Sequence, residues 1–203
     1  GWTTFYTYNP SFITSVANDL YTSLDGKWFR SYVTDQPRNV FHNQTGTAIK
    51  PSSVTFVLNP APSQMKNFNT ISYEGTNGWE VVSITSDETG WTENNPAFVS
   101  DIASPIYSYN QGEYQDGGVT EYAGFVRKQN SYVAAIKSAT PAQVGEVVFG
   151  NQMLGIKGYT ATVKIQNDTS RTVTANGQTQ DLTATNANGL KELFSVGSTF
   201  NIE

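Results

Sequence analysis

Residues 159–182 read YTATVKIQNDTSRTVTANGQTQDL, and this stretch decides the fold class. From Tyr159 to Ile165 apolar and polar side chains alternate, which is the period of a strand with one buried face and one wet face. Two polar arms, 171–175 and 178–182, flank Asn176-Gly177, the strongest short hairpin signal because its turn needs positive φ at both central residues. The stretch predicts antiparallel β structure, with this hairpin projecting from the body.

Strand-like runs separated by turn residues lie before and after this stretch. The further predicted strands are 54–58, 65–72, 79–85, 120–127, 131–136, 144–149 and 191–202. Residues 79–85 are apolar almost without a break, which indicates burial on both faces. Residues 86–118 are interrupted by Gly and Pro, so we expect an excursion loop with at most a short strand at 102–109. Together these runs predict an all-β fold, an antiparallel β-sandwich of roughly seven to nine strands.

The first 50 residues look like a separate small piece. Leu20–Leu24 and Lys27–Tyr32 are joined by Asp25-Gly26, which predicts a β-hairpin. An alternative remains open, because Phe12, Ile13, Val16 and Leu20 also fit a helical stripe, of which we expect at most one turn. The predicted domains are therefore residues 1–50, a small aromatic-rich N-terminal β-hairpin segment with a polar loop, and residues 51–203, the β-sandwich.

Composition excludes several classes of chemistry. The 203-residue chain has no cysteine and one histidine, His42, which excludes thiolate metal sites and leaves an acyl-transfer triad only one candidate base, in a polar loop. A net charge of −5 with scattered basic residues argues against nucleic-acid binding. No run approaches the roughly 20 apolar residues that span a bilayer. We therefore expect no nucleic acid, no membrane insertion, no metal and no cofactor.

Paired carboxylates are the catalytic chemistry that such a sequence still allows. The fragment Glu113-Tyr114-Gln115-Asp116-Gly117 faintly resembles a catalytic strand of jelly-roll xylanases. The other catalytic strand of that family sets its Glu among alternating aromatic residues, and neither Glu74 nor Glu80 has such neighbours. A jelly-roll glycoside hydrolase is therefore only a remote alternative, and we expect no enzyme and no catalytic residues.

Aromatic residues and the polar hairpin are the candidates for contacts. Trp28 and Trp79 adjoin strand-like residues, so core packing is expected for both. Trp91 and Trp2, in the irregular loop and at the start of the chain, have less obvious core roles. The candidate interface residues are Trp2, Phe5, Tyr6, Tyr8, Trp91, Asn176 and Gly177.

Three blocks of the chain resemble a family of phage proteins. Residues 54–83, VTFVLNPAPSQMKNFNTISYEGTNGWEVVS, carry an Asn-Pro element, a K-x-F-x-T-hydrophobic-x-Y-E-G stretch and a Gly-Trp strand. The other two blocks are the opening GWTTFYTYNPSFI and, later, GIKGYTATVKIQN followed by GLKELFSVGS. The three blocks occur along this chain in the same order as in the proteins that they resemble. These blocks are similar to virion structural proteins of tailed phages of the marine cyanophage, crAss-like and flavobacterial type. One departure is 121–128, EYAGFVRK, which matches their E-F-x-x-K-E-G-K-W-F phrase only loosely.

The resemblance implies a non-catalytic virion structural protein of the tail, baseplate, fibre or neck. Its implied partners are other virion proteins and copies of itself, and its implied location is the phage particle, in the tail. It also implies that longer relatives carry more sequence before Gly1. The alternative from another class is a receptor- or carbohydrate-binding module that contacts a host surface glycan or receptor.

Overall fold

The structure is a computed structural model that describes residues 9–33, 51–89, 99–102, 105–111, 113–116, 119–122, 124–141, 148–149, 152–175, 178–185 and 190–202. Within these ranges the chain forms strands and no helix, and the predicted all-β, antiparallel fold is confirmed. The strands are β1 (Phe12–Val16), β2 (Asp19–Leu24), β3 (Lys27–Arg30), β4 (Ser53–Leu58), β5 (Lys66–Gly75), β6 (Trp79–Thr89), β7 (Val99–Asp101), β8 (Glu113–Asp116), β9 (Val119–Tyr122), β10 (Val126–Lys128), β11 (Ser131–Ala135), β12 (Lys137–Pro141), β13 (Val148–Phe149), β14 (Gln152–Leu154), β15 (Ile156–Gly158), β16 (Ala161–Asn167), β17 (Arg171–Ala175), β18 (Gln178–Leu182) and β19 (Leu193–Ile202).

The chain divides into two compact units, Gly1–Pro51 with Asn188–Leu190, and Ser52–Ala187 with Lys191–Glu203. In the smaller unit β1, β2 and β3 form an antiparallel sheet in chain order. Asp25 and Gly26 both have positive φ, of 51° and 75°, as the tight turn of the predicted hairpin requires. That residues 1–50 and residues 51–203 are separate domains stays a prediction.

The helical interpretation of Phe12 to Leu20 is wrong. Ala17 and Asn18 also take positive φ, of 50° and 70°, so the chain reverses there and β1 pairs with β2. The apolar spacing that resembled a helical stripe is therefore spread over two strands and a turn.

The larger unit is a sandwich of two main sheets. In one sheet, β5 has β19 on one side and β11 and β15 on the other, and β10 follows β11. In the other, the order is β4, β16, β6, β7. Both sheets contribute to one buried cluster: Phe68, Ile71, Tyr73, Tyr132, Ala134 and Ile156 from the first, and Trp79, Val81, Ile84, Ala161, Val163 and Ile165 from the second. Burial of each larger apolar side chain stabilises the fold by about 1.5–3 kcal/mol.

Each main sheet contains a β-bulge that depends on the neighbouring strand. Phe68 and Ile71 are both fully buried although they are three positions apart, because Asn69 is an extra residue opposite β19. Val82 is likewise extra opposite β16, which keeps Val81 and Ile84 buried. A strict period of two would have placed one member of each pair on the solvent face.

Smaller elements surround the sandwich. The remaining sheets are β12-β14-β13, β17-β18 and β8-β9. Residues 105–111 form no named strand but connect distant parts of the chain, through bridges from Ile106 to Val81 and from Tyr107 to Gly124. These bridges bring polar side chains of residues 105–111 close to residues 168–171.

The structure corrects several sequence predictions. In the described part of residues 51–203 there are sixteen strands: nine form the two main sheets, within the seven to nine expected of the sandwich, and five short strands and the 171–182 hairpin lie outside these sheets. The expected strand at 102–109 is limited to isolated bridges, and the expected loop at 86–118 contains β7 and β8. The single strand expected at 120–127 is two strands, β9 and β10, in different sheets.

Trp79 and Trp28 have opposite environments, although packing was expected for both. Trp79 is buried, with 5% of its surface exposed, and its indole Nε1 donates to the Glu192 carbonyl at 3.1 Å. Trp28 is 59% exposed, so the packing prediction for Trp28 is wrong. It lies next to a two-residue turn in a sheet of three strands, one face of which remains open to solvent.

Candidate interaction surfaces

The first candidate surface is an exposed face of the N-terminal sheet. Strand register places Phe12 opposite Ser23, and Ser23 opposite Trp28, so the two rings lie in one cross-strand row. Their centroids are 5.9 Å apart in an edge-to-face arrangement. Val16 belongs to the same face, and all three side chains are more than half exposed. We call Phe12, Val16 and Trp28 the aromatic face.

A salt bridge lies on the same side of this sheet. Arg30 Nη2 is 2.8 Å from Asp19 Oδ2, and both side chains are substantially exposed. Solvent screens such a pair, so its contribution to stability is at most about 1 kcal/mol. The aromatic face is therefore bordered by groups that can form hydrogen bonds with a partner.

The second candidate surface is the outer edge of β19. Among the described strands β19 pairs with β5 alone, so its other edge has no strand partner there. Phe194 is 72% exposed and Ile202 is 54% exposed. Val196 and Phe200 instead pack against the core, and the Phe200 ring lies 6.2 Å from that of Phe68. The strand is thus fixed on one side and open on the other.

A buried ion pair anchors the start of β19. Lys191 Nζ pairs with Asp168 Oδ1, and both side chains are almost completely buried. Lys191 also donates to the Gly78 carbonyl at 3.0 Å. Asp168 Oδ2 accepts from the Ser108 hydroxyl at 2.8 Å and from the Thr185 amide at 3.0 Å. The Asp168–Lys191 anchor therefore joins four segments that are far apart in sequence.

A second buried pair anchors the base of the β17-β18 hairpin. Glu80, which is 1% exposed, accepts from Arg171 Nη2 and, at 2.7 Å, from Gln166 Nε2. The Arg171 guanidinium lies 5.3 Å from the centroid of the Tyr107 ring, within the range of a cation–π contact. Leu182, which is paired with Arg171 at the same base of the hairpin, is also buried. The predicted hairpin arms are confirmed, and their base is packed into the sandwich.

Tyr73 lies in the aromatic part of the core. Its ring stacks on that of Tyr132 at 4.7 Å and meets Phe125 edge to face at 4.8 Å. Burial raises the pKa of the Tyr73 phenol above its ordinary value, because the phenolate loses its hydration. The neutral phenol is thus the form that the folded protein retains.

This pKa shift predicts a loss of stability at alkaline pH. The unfolded chain releases the Tyr73 proton near pH 10, while the folded chain still holds it. The contribution of the neutral Tyr73 phenol to stability is complete below about pH 10. It is lost as the pH rises from there toward the pKa that Tyr73 has in the folded chain. Urea unfolding at about pH 9 and about pH 11 should show this fall, and Tyr73→Phe should make it shallower. An unchanged pH slope in Tyr73→Phe would contradict the assignment.

All seven predicted interface residues lie outside the described residues: Trp2, Phe5, Tyr6, Tyr8, Trp91, Asn176 and Gly177. Their role as contacts stays a prediction. The exposed residues Phe12, Trp28 and Phe194 were missed by sequence reasoning, although Phe12 and Trp28 flank the predicted hairpin. Nothing in an apolar strand pattern tells an open face from a covered one.

The described part of the chain contains no group of three or more His, Cys, Asp or Glu side chains arranged to hold a metal ion. It also contains no helix of the length and apolarity needed to cross a membrane.

Comparison with known proteins identifies the family. Residues 37–139 match the family model described as the crassvirus muzzle protein C-terminal domain. The match runs from before β4 into β12, and the sheets that these strands form are completed by β13, β14, β15, β16 and β19. No curated protein matches the chain. The prediction of a virion structural protein of a crAss-like phage is thereby confirmed. Because the match covers just over half of the 203 residues, the chain belongs to the family of the crassvirus muzzle protein C-terminal domain.

Proposed function

We propose that this virion protein is a non-catalytic component of the phage tail, which acts through contacts with other virion proteins and with copies of itself. The aromatic face of Phe12, Val16 and Trp28 is the observation that supports this most strongly. Three large apolar side chains on one open sheet face, two of them in ring contact, are typical of a surface that another protein covers. Trp, Phe and Val can bury apolar area there, with the Arg30–Asp19 pair at the border of the face.

The carboxylates support a structural role over a catalytic one. A glycosidase needs one carboxyl group kept as a general acid and a second one facing it. Glu80 and Asp168, two buried carboxylates of the described residues, each pair with a cation and hold segments together. The remote glycosidase alternative depends on Glu113, whose side chain is outside the described set.

The tail position rests on the resemblance of the sequence blocks to tail-associated proteins. Those blocks do not distinguish a baseplate, fibre or neck component. The family match agrees with a place in the particle, and the open surfaces agree with a component that several neighbours contact.

Separation of purified particles into tails and capsids tests the proposal. Quantitative mass spectrometry should recover peptides of this chain with the tail fraction in a fixed ratio to other tail proteins. Particles carrying Phe12→Ser with Trp28→Ser should incorporate less of the chain, because the aromatic face loses its apolar area. Thr14→Ser is the matched control on the same sheet face. Recovery from capsids alone, or absence from particles, would contradict the tail assignment.

A receptor- or carbohydrate-binding module is the alternative that one observation favours. Trp28 is exposed beside the Arg30–Asp19 pair, and an aromatic ring next to hydrogen-bonding groups is suited to a sugar ring. A glycan array and binding to host cells separate the two functions. Binding that Trp28→Ala abolishes would favour the module, and an array without any bound glycan would count against it.

A further inference from the structure

The edge of β19 lacks the charges and prolines that often protect an edge strand, and its own irregularity next to β5 is the extra residue Phe194 near its start. Its ten residues, LFSVGSTFNI, contain no charged residue and no proline. Edge strands are usually short, charged or interrupted by proline, since a free row of amides and carbonyls recruits other strands. At the opposite edge of the same sheet, β10 has three residues and includes Arg127 and Lys128. In the other sheet, the edge strand β4 has six residues and lies between Pro51 and Pro60.

Contacts with the rest of the larger unit fix β19 in place. Pairs with β5 extend from Leu193 to Ile202 and are continuous in register from Ser195 to Thr199, and Ser198 Oγ donates to the Thr70 carbonyl at 2.6 Å. The Asp168–Lys191 anchor fixes the residues directly before the strand. A partner strand therefore adds to a preformed template and does not have to order it first.

The sequence of β19 indicates what the partner is. Residues 194–200 read FSVGSTF, which is nearly symmetric about Gly197. Antiparallel pairing of two such strands about Gly197 sets Ser195 opposite Thr199 and Val196 opposite Ser198 of the other copy, over the part of β19 that pairs with β5 without a register shift. A twofold interface needs this property, that each position meets a compatible position in both directions.

We propose that β19 pairs antiparallel with β19 of a second copy of this chain, about a twofold axis at Gly197. The two five-stranded sheets then become one continuous sheet across the dimer. The pairing covers the free edge of β19, while Phe200 of each copy stays packed against Phe68 of its own core. This inference deepens the proposed assembly role by naming one of its contacts.

Charge substitutions at positions 195 and 199 test the register. Both side chains are exposed, and the twofold places position 195 of one copy opposite position 199 of the other. Ser195→Lys with Thr199→Lys puts like charges opposite each other twice, whereas Ser195→Lys with Thr199→Glu puts opposite charges there. Both variants lose the same Thr199–Thr70 hydroxyl contact, so they are matched for their effect on folding.

Sedimentation equilibrium of the full chain measures the dimer. The wild type should dimerise, the lysine–lysine variant should show a dissociation constant raised at least about tenfold, and the lysine–glutamate variant should remain dimeric. A monomeric wild type at high micromolar concentration overturns the proposal, as does equal behaviour of the two variants. Hydrogen exchange of the wild type gives a second measurement, because amides of β19 that do not bond to β5 should gain protection only where the chain dimerises.

This test is independent of the particle experiment. A monomeric chain that is still recovered with tails would remove the β19 contact and leave the proposed tail function standing. A chain that dimerises but is absent from particles would remove the proposed tail function and leave the β19 contact standing.

Discussion

Asp168→Ala should lower the free energy of unfolding of the larger unit by about 3–5 kcal/mol. The substitution removes the only carboxylate that Lys191 contacts among the described residues, and it leaves a buried ammonium with the Gly78 carbonyl as its one acceptor there. The Ser108 hydroxyl and the Thr185 amide lose their acceptor as well. An uncompensated buried charge costs far more than the loss of an exposed ion pair.

Urea denaturation followed by circular dichroism measures this change, provided that the m value is unaltered. Asp181→Ala is the control in the same unit, because Asp181 is exposed and its hydrogen bond within the described residues is from the Thr172 hydroxyl, so we expect a change below about 1 kcal/mol. Adding Lys191→Met to Asp168→Ala should recover part of the loss. Equal losses in Asp168→Ala and Asp181→Ala would show that the anchor is not a buried pair.

Gly75→Ala should destabilise the larger unit by about 2–4 kcal/mol. A Cβ at position 75 would clash with the backbone oxygen of Glu192, so no side-chain rotation relieves the contact. The chain before β19 has to move away from β5, which weakens the hydrogen bonds that Thr76 and Trp79 donate to the Glu192 carbonyl.

Gly197→Ala, four residues into β19, is the control for this effect. A Cβ there meets only the Ser72 hydroxyl, at 3.4 Å, so the free energy of unfolding should change by less than about 1 kcal/mol. Thermal or urea unfolding of the two variants side by side decides the question. If Gly75→Ala is as stable as Gly197→Ala, the close approach of the two segments is contradicted.

Turn chemistry and strand periodicity made much of the fold predictable. Asp25-Gly26 marked the N-terminal hairpin, and the arms beside Asn176-Gly177 were placed at 171–175 and 178–182, as the structure has them. The alternation in 159–165 identified β16, which lies between β4 and β6. In these cases the local residues alone determine the backbone conformation.

The failures have physical reasons. The Ala17-Asn18 turn has no glycine, so nothing in sequence separated β1 from β2. Gly117-Gly118 was interpreted as a break, although Asp116 pairs with Val119 and the two flanking arms are strands. The bulges at Asn69 and Val82 depend on neighbouring strands and leave no mark in a period-two pattern.

The candidate surfaces were less predictable than the fold. The partners in the two buried ion pairs are 91 and 23 residues apart, and only the tertiary fold brings them together. Exposure of Trp28 and Phe194 likewise depends on which sheet faces and edges remain uncovered. Sequence reasoning predicted aromatic residues as contacts, while the described residues show exposed aromatic side chains on the N-terminal sheet and on β19.

A cryo-electron microscopy map of the phage particle tests the central claim most directly, that this chain is a structural part of the virion which acts through protein contacts. We expect density for the sandwich in the tail, with Phe12, Val16 and Trp28 covered by a neighbouring protein and the β19 edge paired with a second copy. A particle without this chain, or a chain whose aromatic face is open to solvent in every copy, would contradict the account.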